Sequence, residues 1–157
     1  MMSRVQKGMA AGLAATVAVS MLELGNLGMG SPVMAFPAFI AENLGLSGNL
    51  MVGWMVHLAI GVLVLGSGFG FLYAKLPTST PATRGIVYAV GAFTTLLVGV
   101  LMVGDPRIFS GADGFGTVAW MLMTHAVFGI VLGSVYGTLI AREKRELKAM
   151  AGAAPAV

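Results

Sequence analysis

LMVGWMVHLAIGVLVLGSGFGFLYA, residues 50–74, decides the fold. These 25 residues pass without one Asp, Glu, Lys or Arg. A helix needs about 20 apolar residues to cross the hydrocarbon of a bilayer. With no water to satisfy backbone N–H and C=O groups there, the crossing segment has to be a helix. One residue is out of place in it. His57 is ionisable, and such a group inside a span is expensive unless it faces a bundle interior or a ligand.

Working outward, the same pattern recurs. No charge falls between Lys7 and Glu23, Glu42 and Lys75, Arg84 and Asp105, or Asp113 and Arg142. These gaps predict four spans, at residues 8–28, 50–74, 85–104 and 117–141. The chain is 57% hydrophobic and 10% charged, too apolar for an ordinary soluble domain. The expected fold is all-α, an integral membrane four-helix bundle forming one domain over residues 1–141. A charged tail follows at 142–157, helical at first and disordered at its Ala/Gly/Pro end.

Lys and Arg set the orientation. Arg4 and Lys7 precede span one, Lys75 and Arg84 flank the turn after span two, and Arg142, Lys144, Arg145 and Lys148 follow span four. Only Arg107 lies on the other side, with Glu42, Asp105 and Asp113. The positive-inside rule then puts both termini in the cytoplasm, as expected for a multi-pass protein of a bacterial inner (cytoplasmic) membrane. The net charge of +3 reports this topology, and no nucleic-acid motif accompanies it. The start of the chain has the n- and h-regions of a signal peptide, but no small-x-small cleavage site follows, so span one reads as uncleaved. The absence of cysteine excludes disulfides and thiolate metal centres.

The connections differ. The turn at residues 76–84 is short, so spans two and three are expected to be antiparallel neighbours. The outer connection at 29–49 is longer, and its apolar Ala38-Phe39-Ile40-Ala41 is expected as a short helix on or dipping into the interface. The outer loop at 105–116 reads as Gly/Asp turn material.

The chain reads as two repeated helical hairpins. Lys7-Gly8 opens span one and Arg84-Gly85 opens span three. Span two carries Trp54, His57, Gly61 and Gly66-Ser67; span four carries Trp120, His125, Gly129 and Gly133-Ser134. Both hairpins point the same way, as in a parallel repeat about an axis along the membrane normal. The alignment needs a shift of one or two residues around the histidine.

His57 and His125 are the only histidines. At 1.5 Å per residue they lie about 10 and 12 Å below the outer edge of their spans. In an up-down bundle spans two and four are diagonal, roughly 12–14 Å apart. That gap suits a planar macrocycle held by one imidazole from each side. The candidate site is therefore a bis-histidine b-type haem, for electron transfer or redox sensing. His57 and His125 would be its axial ligands, Gly61 and Gly129 would clear space beneath them, and the propionates would point toward Trp54 and Arg107. The alternative for the glycines is close helix packing. For the histidines the alternatives are structural hydrogen bonding and proton handling. Methionines crowd the outer half, and Met121 is in register with His125, so copper at a Met/His site (His57, His125, Met121) is a further reading. Glu23 is either an acceptor that orients a ligating histidine or an interfacial group touching water.

No His-Glu-x-x-His motif, P-loop, dinucleotide fingerprint or nucleophile elbow occurs, and no catalytic set assembles. This favours a non-enzyme. The class rival to haem is a non-catalytic accessory or scaffold subunit of a larger membrane complex, or a homo-oligomer. The motifs Gly12-Leu-Ala-Ala-Thr16, Gly53-Trp54-x2-His57-x3-Gly61, Leu76-Pro77 and the glycine-spaced histidine of span four bear on this. Together they make the chain similar to an uncharacterised family of small four-helix bacterial inner-membrane proteins. That resemblance implies the four-helix topology and assigns no role to any residue.

Overall fold

The structure, a computed structural model, describes residues 1–103 and 114–152. Arg107, Asp105, Asp113 and the tail at 153–157 lie outside the described residues, so the expectations placed on them stay with the sequence. Five helices are formed: α1 (Arg4–Gly28), α2 (Phe36–Asn43), α3 (Leu50–Lys75), α4 (Pro81–Val103) and α5 (Gly114–Gly152). Four of them are long and apolar enough to cross a membrane, and no strand occurs among the described residues.

Local chemistry sets several of the ends. Ser3 caps α1 in a reciprocal box: its hydroxyl accepts from the Gln6 amide at 3.1 Å, and the Gln6 side chain accepts from the Ser3 amide at 2.8 Å. The fourth span is only part of α5, which runs on through the charged segment to Gly152. An Arg142–Glu146 pair one turn apart supports that extension. A Lys7–Glu143 ion pair ties it back to α1.

The helices do not form the square that the short turn implied. α1 packs on α3 and α5, and α5 packs on α1 and α4. α3 and α4 meet near the lysine- and arginine-rich end, where the Phe69 and Tyr88 rings are 5.4 Å apart. Toward the far end α2 is seated between them. It is a buried element: Ala35, Pro37 and Ala41 are essentially inaccessible, and Phe39 joins Phe93, Val100, Val118 and Met121 in one apolar cluster. Its other side lies against α3, where the Pro37 carbonyl closes on Gly53. The expected interfacial helix thus dips into the bundle through Pro37, Phe39, Ile40 and Ala41, with Asn43 left exposed. The physical reason is shape. Gly53 leaves a notch on α3, and the rings of Phe36 and Phe39 fill the space that two helices would otherwise share.

Each hairpin is locked by glycine. Gly8 and Gly12 of α1 press on Gly61 and Gly66 of α3, and Gly85 of α4 presses on Gly129 and Gly133 of α5. A Cβ at Gly12 would come within 2.7 Å of the Gly61 carbonyl oxygen, closer than real side chains approach. Backbones can approach this closely only where no side chain intervenes.

An irregularity inside α3 has a cause in the sequence. Residues Ile60–Gly66 are wound as a π-helix. Gly61 and Gly66 are five apart and would sit on different faces of a helix with 3.6 residues per turn. The wider turn, bonded i to i+5, returns both to the face that meets Gly12. In α5 the corresponding Gly129 and Gly133 are four apart, and that segment is plain α-helix.

The surface of the bundle is apolar as well. Leu13, Val17, Met21, Leu24, Leu63, Val64, Phe71, Val98, Leu101 and Ile130 are all exposed.

Candidate functional site

His57 and His125 are brought together. They border one small cavity of about 30 Å³, with Val19, Phe36, Gly61, Thr124 and Phe128 among its walls. α1 and α5 supply the far walls, and α2 supplies the lid. The lid is the Phe36 ring, whose centroid is 5.8 Å from His57 and 5.6 Å from His125, edge-on to both. Trp54 stands 5.7 Å from His57, and Phe93 stands 5.2 Å from His125. The two imidazoles thus lie in an aromatic cage.

Each imidazole is anchored through one ring nitrogen. His125 Nδ1 is 2.7 Å from the Met121 carbonyl oxygen, which can only accept, so Nδ1 carries the proton. In the neutral ring Nε2 then keeps its lone pair. His57 Nε2 is 3.3 Å from the Ser20 hydroxyl. Neither His125 Nε2 nor His57 Nδ1 has a hydrogen-bonding partner among the described residues. Anchoring of one nitrogen with the other left free is how proteins orient ligating histidines.

Glu23 is neither interfacial nor wet, and the expectation that it touches water is corrected. It is fully buried. Its Oε2 accepts from the Phe36 amide at 3.2 Å, and both carboxyl oxygens accept from the Trp120 indole at 3.2 and 3.3 Å. Phe36 is the first residue of α2, and its cap residue Ala35 has no side-chain acceptor. Glu23 therefore does the work of a helix cap from 13 residues away. Two further polar residues pin the strap of residues 29–35 that leads from α1 into α2, and sequence reasoning passed over both. Asn26 donates to the Val33 carbonyl at 3.0 Å, and Thr117 accepts from the Met34 amide at 3.3 Å. A signal existed: an apolar helix preceded by alanine needs an acceptor from elsewhere, and Glu23 is the one carboxylate within the spans.

Residues 2–147 match DUF6789, a family of unknown function. The chain belongs to that family. No curated protein and no solved structure matches it. For this DUF6789 member the site thus has to be read from its own residues.

The other expected site residues are placed as follows. Gly129 is engaged with Gly85, and Gly61 borders the cavity while pressing on Thr16. Packing accounts for both. Met121 is fully buried in the cluster around Phe39 and is not among the residues that line the cavity. Arg107 lies outside the described residues. Among the described residues no group of three His, Cys, Asp or Glu side chains converges. The donor chemistry of the pair suits haem iron or a single metal ion. The space suits only the ion, because a cavity of about 30 Å³ holds one or two waters. With Phe36 edge-on to both rings, a haem macrocycle does not fit this arrangement.

Proposed function

We propose that this DUF6789 member is a four-span protein of the bacterial inner membrane, built from two repeated hairpins with both ends in the cytoplasm. We further propose that it holds a single soft metal ion, copper(I) foremost, between His57 and His125. The apolar exterior of four long helices supports membrane insertion. Gly8, which opens span one, presses on Gly66 and Gly70, and Gly85, which opens span three, presses on Gly129 and Gly133; the shared style of contact, one turn out of the sequence register, supports the repeat. The π-helix takes up the extra residue that separates span two from span four.

One observation carries the ligand reading: two imidazoles, each anchored at one nitrogen, share a small, mostly apolar cavity of ionic size. Zinc and the harder divalent ions call for four or more ligands. Copper(I) is satisfied by two nitrogen donors, and imidazole suits it. The test is to purify the chain in detergent, load it with copper(I) under reducing conditions, and measure metal by mass spectrometry alongside an absorption spectrum. One equivalent is expected in the native chain, lost in His57→Ala and in His125→Ala. Retention of copper by the double variant would sink the assignment. A Soret band after haem supplementation would instead establish the bis-histidine haem.

A second reading has its own observation. Gly91 and Gly99 of α4, with Thr95 between them on one face, are exposed, and nothing lies within 4 Å of where a Cβ would stand at either glycine. Most other glycines within the spans are pressed against a neighbour. Such a face favours an accessory subunit that docks a further membrane helix. Gly91→Leu combined with Gly99→Leu should then strip partners from the protein in native gels while leaving its own fold intact.

A further inference from the structure

We infer that the lysine- and arginine-rich end of the bundle carries a binding site for the phosphate of an anionic phospholipid headgroup, in a cleft between α1, the end of α3 and the extension of α5. The cleft has a volume of about 350 Å³. Arg4, Lys7 and Lys144 line it, with Glu143 as the one acidic wall residue. Glu143 is already paired with Lys7. Arg4 and Lys144 have no ion-pair partner among the described residues, so the cleft presents two uncompensated cations. A third cation stands behind them. The Arg84 guanidinium lies 4.7 Å from the centroid of Tyr73, another wall residue.

A neighbouring hollow provides the contrast. It is larger, about 840 Å³, and is lined by Lys7, Arg142, Glu143 and Glu146. There the charges balance and pair among themselves, through Lys7–Glu143 and Arg142–Glu146. Basic surface at this end is therefore not uniform, and the excess gathers in the cleft beside Tyr73.

The remaining walls identify the source of the phosphate. Ile140 and Leu147 line the cleft, and the exposed Phe71 and Leu72 continue the apolar surface from the same end of α3. A free phosphate has no use for apolar walls. A phospholipid does, because its glycerol and upper acyl chain continue downward where its phosphate ends. Basic pockets at the cytoplasmic ends of membrane helices meet anionic lipids by this combination.

This inference rests on the membrane reading, and the experiment separates the two. The full chain is purified in a neutral detergent and titrated with phosphatidylglycerol, with phosphatidylcholine of the same acyl chains, and with inorganic phosphate. Thermal midpoint and native mass spectrometry are the readouts. Phosphatidylglycerol is expected to bind and raise the midpoint, phosphatidylcholine and phosphate to do neither. Arg4→Gln and Lys144→Gln should each weaken binding about fivefold, with no such loss in Lys148→Gln, which removes a charge outside the cleft. Should Arg4→Gln fold poorly, Lys144→Gln carries the same comparison alone. Equal losses in all three variants, or equal binding of phosphatidylcholine, would overturn the site in favour of diffuse attraction. The same shift from inorganic phosphate would overturn the lipid as its source. Release of the chain from membranes without detergent would instead refute the membrane reading itself.

Discussion

Glu23 is the residue on which the site's geometry turns. Its carboxyl group holds the Phe36 amide and the Trp120 indole, and so fixes the lid over both histidines. Removing it strands two part-buried donors. Glu23→Ala is expected to destabilise the fold by about 2–4 kcal/mol, since each orphaned buried donor costs about 1–3 kcal/mol. Glu23→Gln keeps an acceptor oxygen and should retain most of the stability. A thermal or denaturant melt in detergent reads both, and equal losses would show that charge rather than acceptance matters. Phe36→Ala asks about the lid itself. Because Phe36 is half-buried, the change should cost less than the ~3–5 kcal/mol of a core phenylalanine, and it opens the space between the imidazoles. If haem supplementation gives a Soret band in Phe36→Ala and not in the native chain, the ring alone keeps a macrocycle out. The histidines were legible in the sequence because a titratable ring in an apolar run has few reasons to be there. The role of Glu23 was not, because its partners lie 13 and 97 residues away and one of them is a backbone amide.

At the scale of the helices, apolar length alone placed the four long elements, and their observed ends differ from the expected ones mainly where polar turns of helix extend past the hydrophobic run. The insertion of α2 was not legible. Its sequence is apolar whether it lies on an interface or inside a bundle, and the notch that receives it, Gly53, sits on another helix. The glycine pattern was legible as a pattern but not as a division of labour. Space for a cofactor and close packing both call for a missing side chain, and only the facing backbone distinguishes them. Gly61, Gly66, Gly129 and Gly133 all face another chain segment at contact distance. Leucine at any of the four should therefore cost about 1–3 kcal/mol or more by overpacking, whereas Gly91→Leu should leave the melt of the isolated chain near the native value. The π-helix makes a sharper prediction. Deleting the exposed Val64 shortens the Gly61–Gly66 spacing to the four residues found in α5, so the segment can relax to α-helix with its packing face kept. Deleting the exposed Ile130 shortens Gly129–Gly133 to three and turns Gly133 away from Pro81. The first variant should hold most of the native melting temperature, and the second should not. Similar losses in both would mean that the π-turn does not serve glycine register.

At the scale of the whole molecule, Lys7 near the start of α1 meets Glu143 in the extension of α5, so these two segments lie at the same end of the bundle. The turn between α3 and α4, flanked by Lys75 and Arg84, lies at that end too, where Phe69 meets Tyr88. An even number of crossings and a shared basic end are two independent constraints with one consequence. In the proposed topology that end faces the cytoplasm, because lysine and arginine near span ends resist translocation. That topology would place α2 in the opposite leaflet and the histidine pair nearer the outside. The chain has no cysteine, so single substitutions report cleanly. Ser47, just after α2, and Ser79, in the turn before α4, are both exposed. In intact cells Ser47→Cys should react with a membrane-impermeant maleimide, and Ser79→Cys should react only after permeabilisation. The reverse pattern would invert the bundle and place the imidazole pair near the cytoplasm. Labelling of both from outside would break the four-span topology, since no path through four helices puts those two turns on one side.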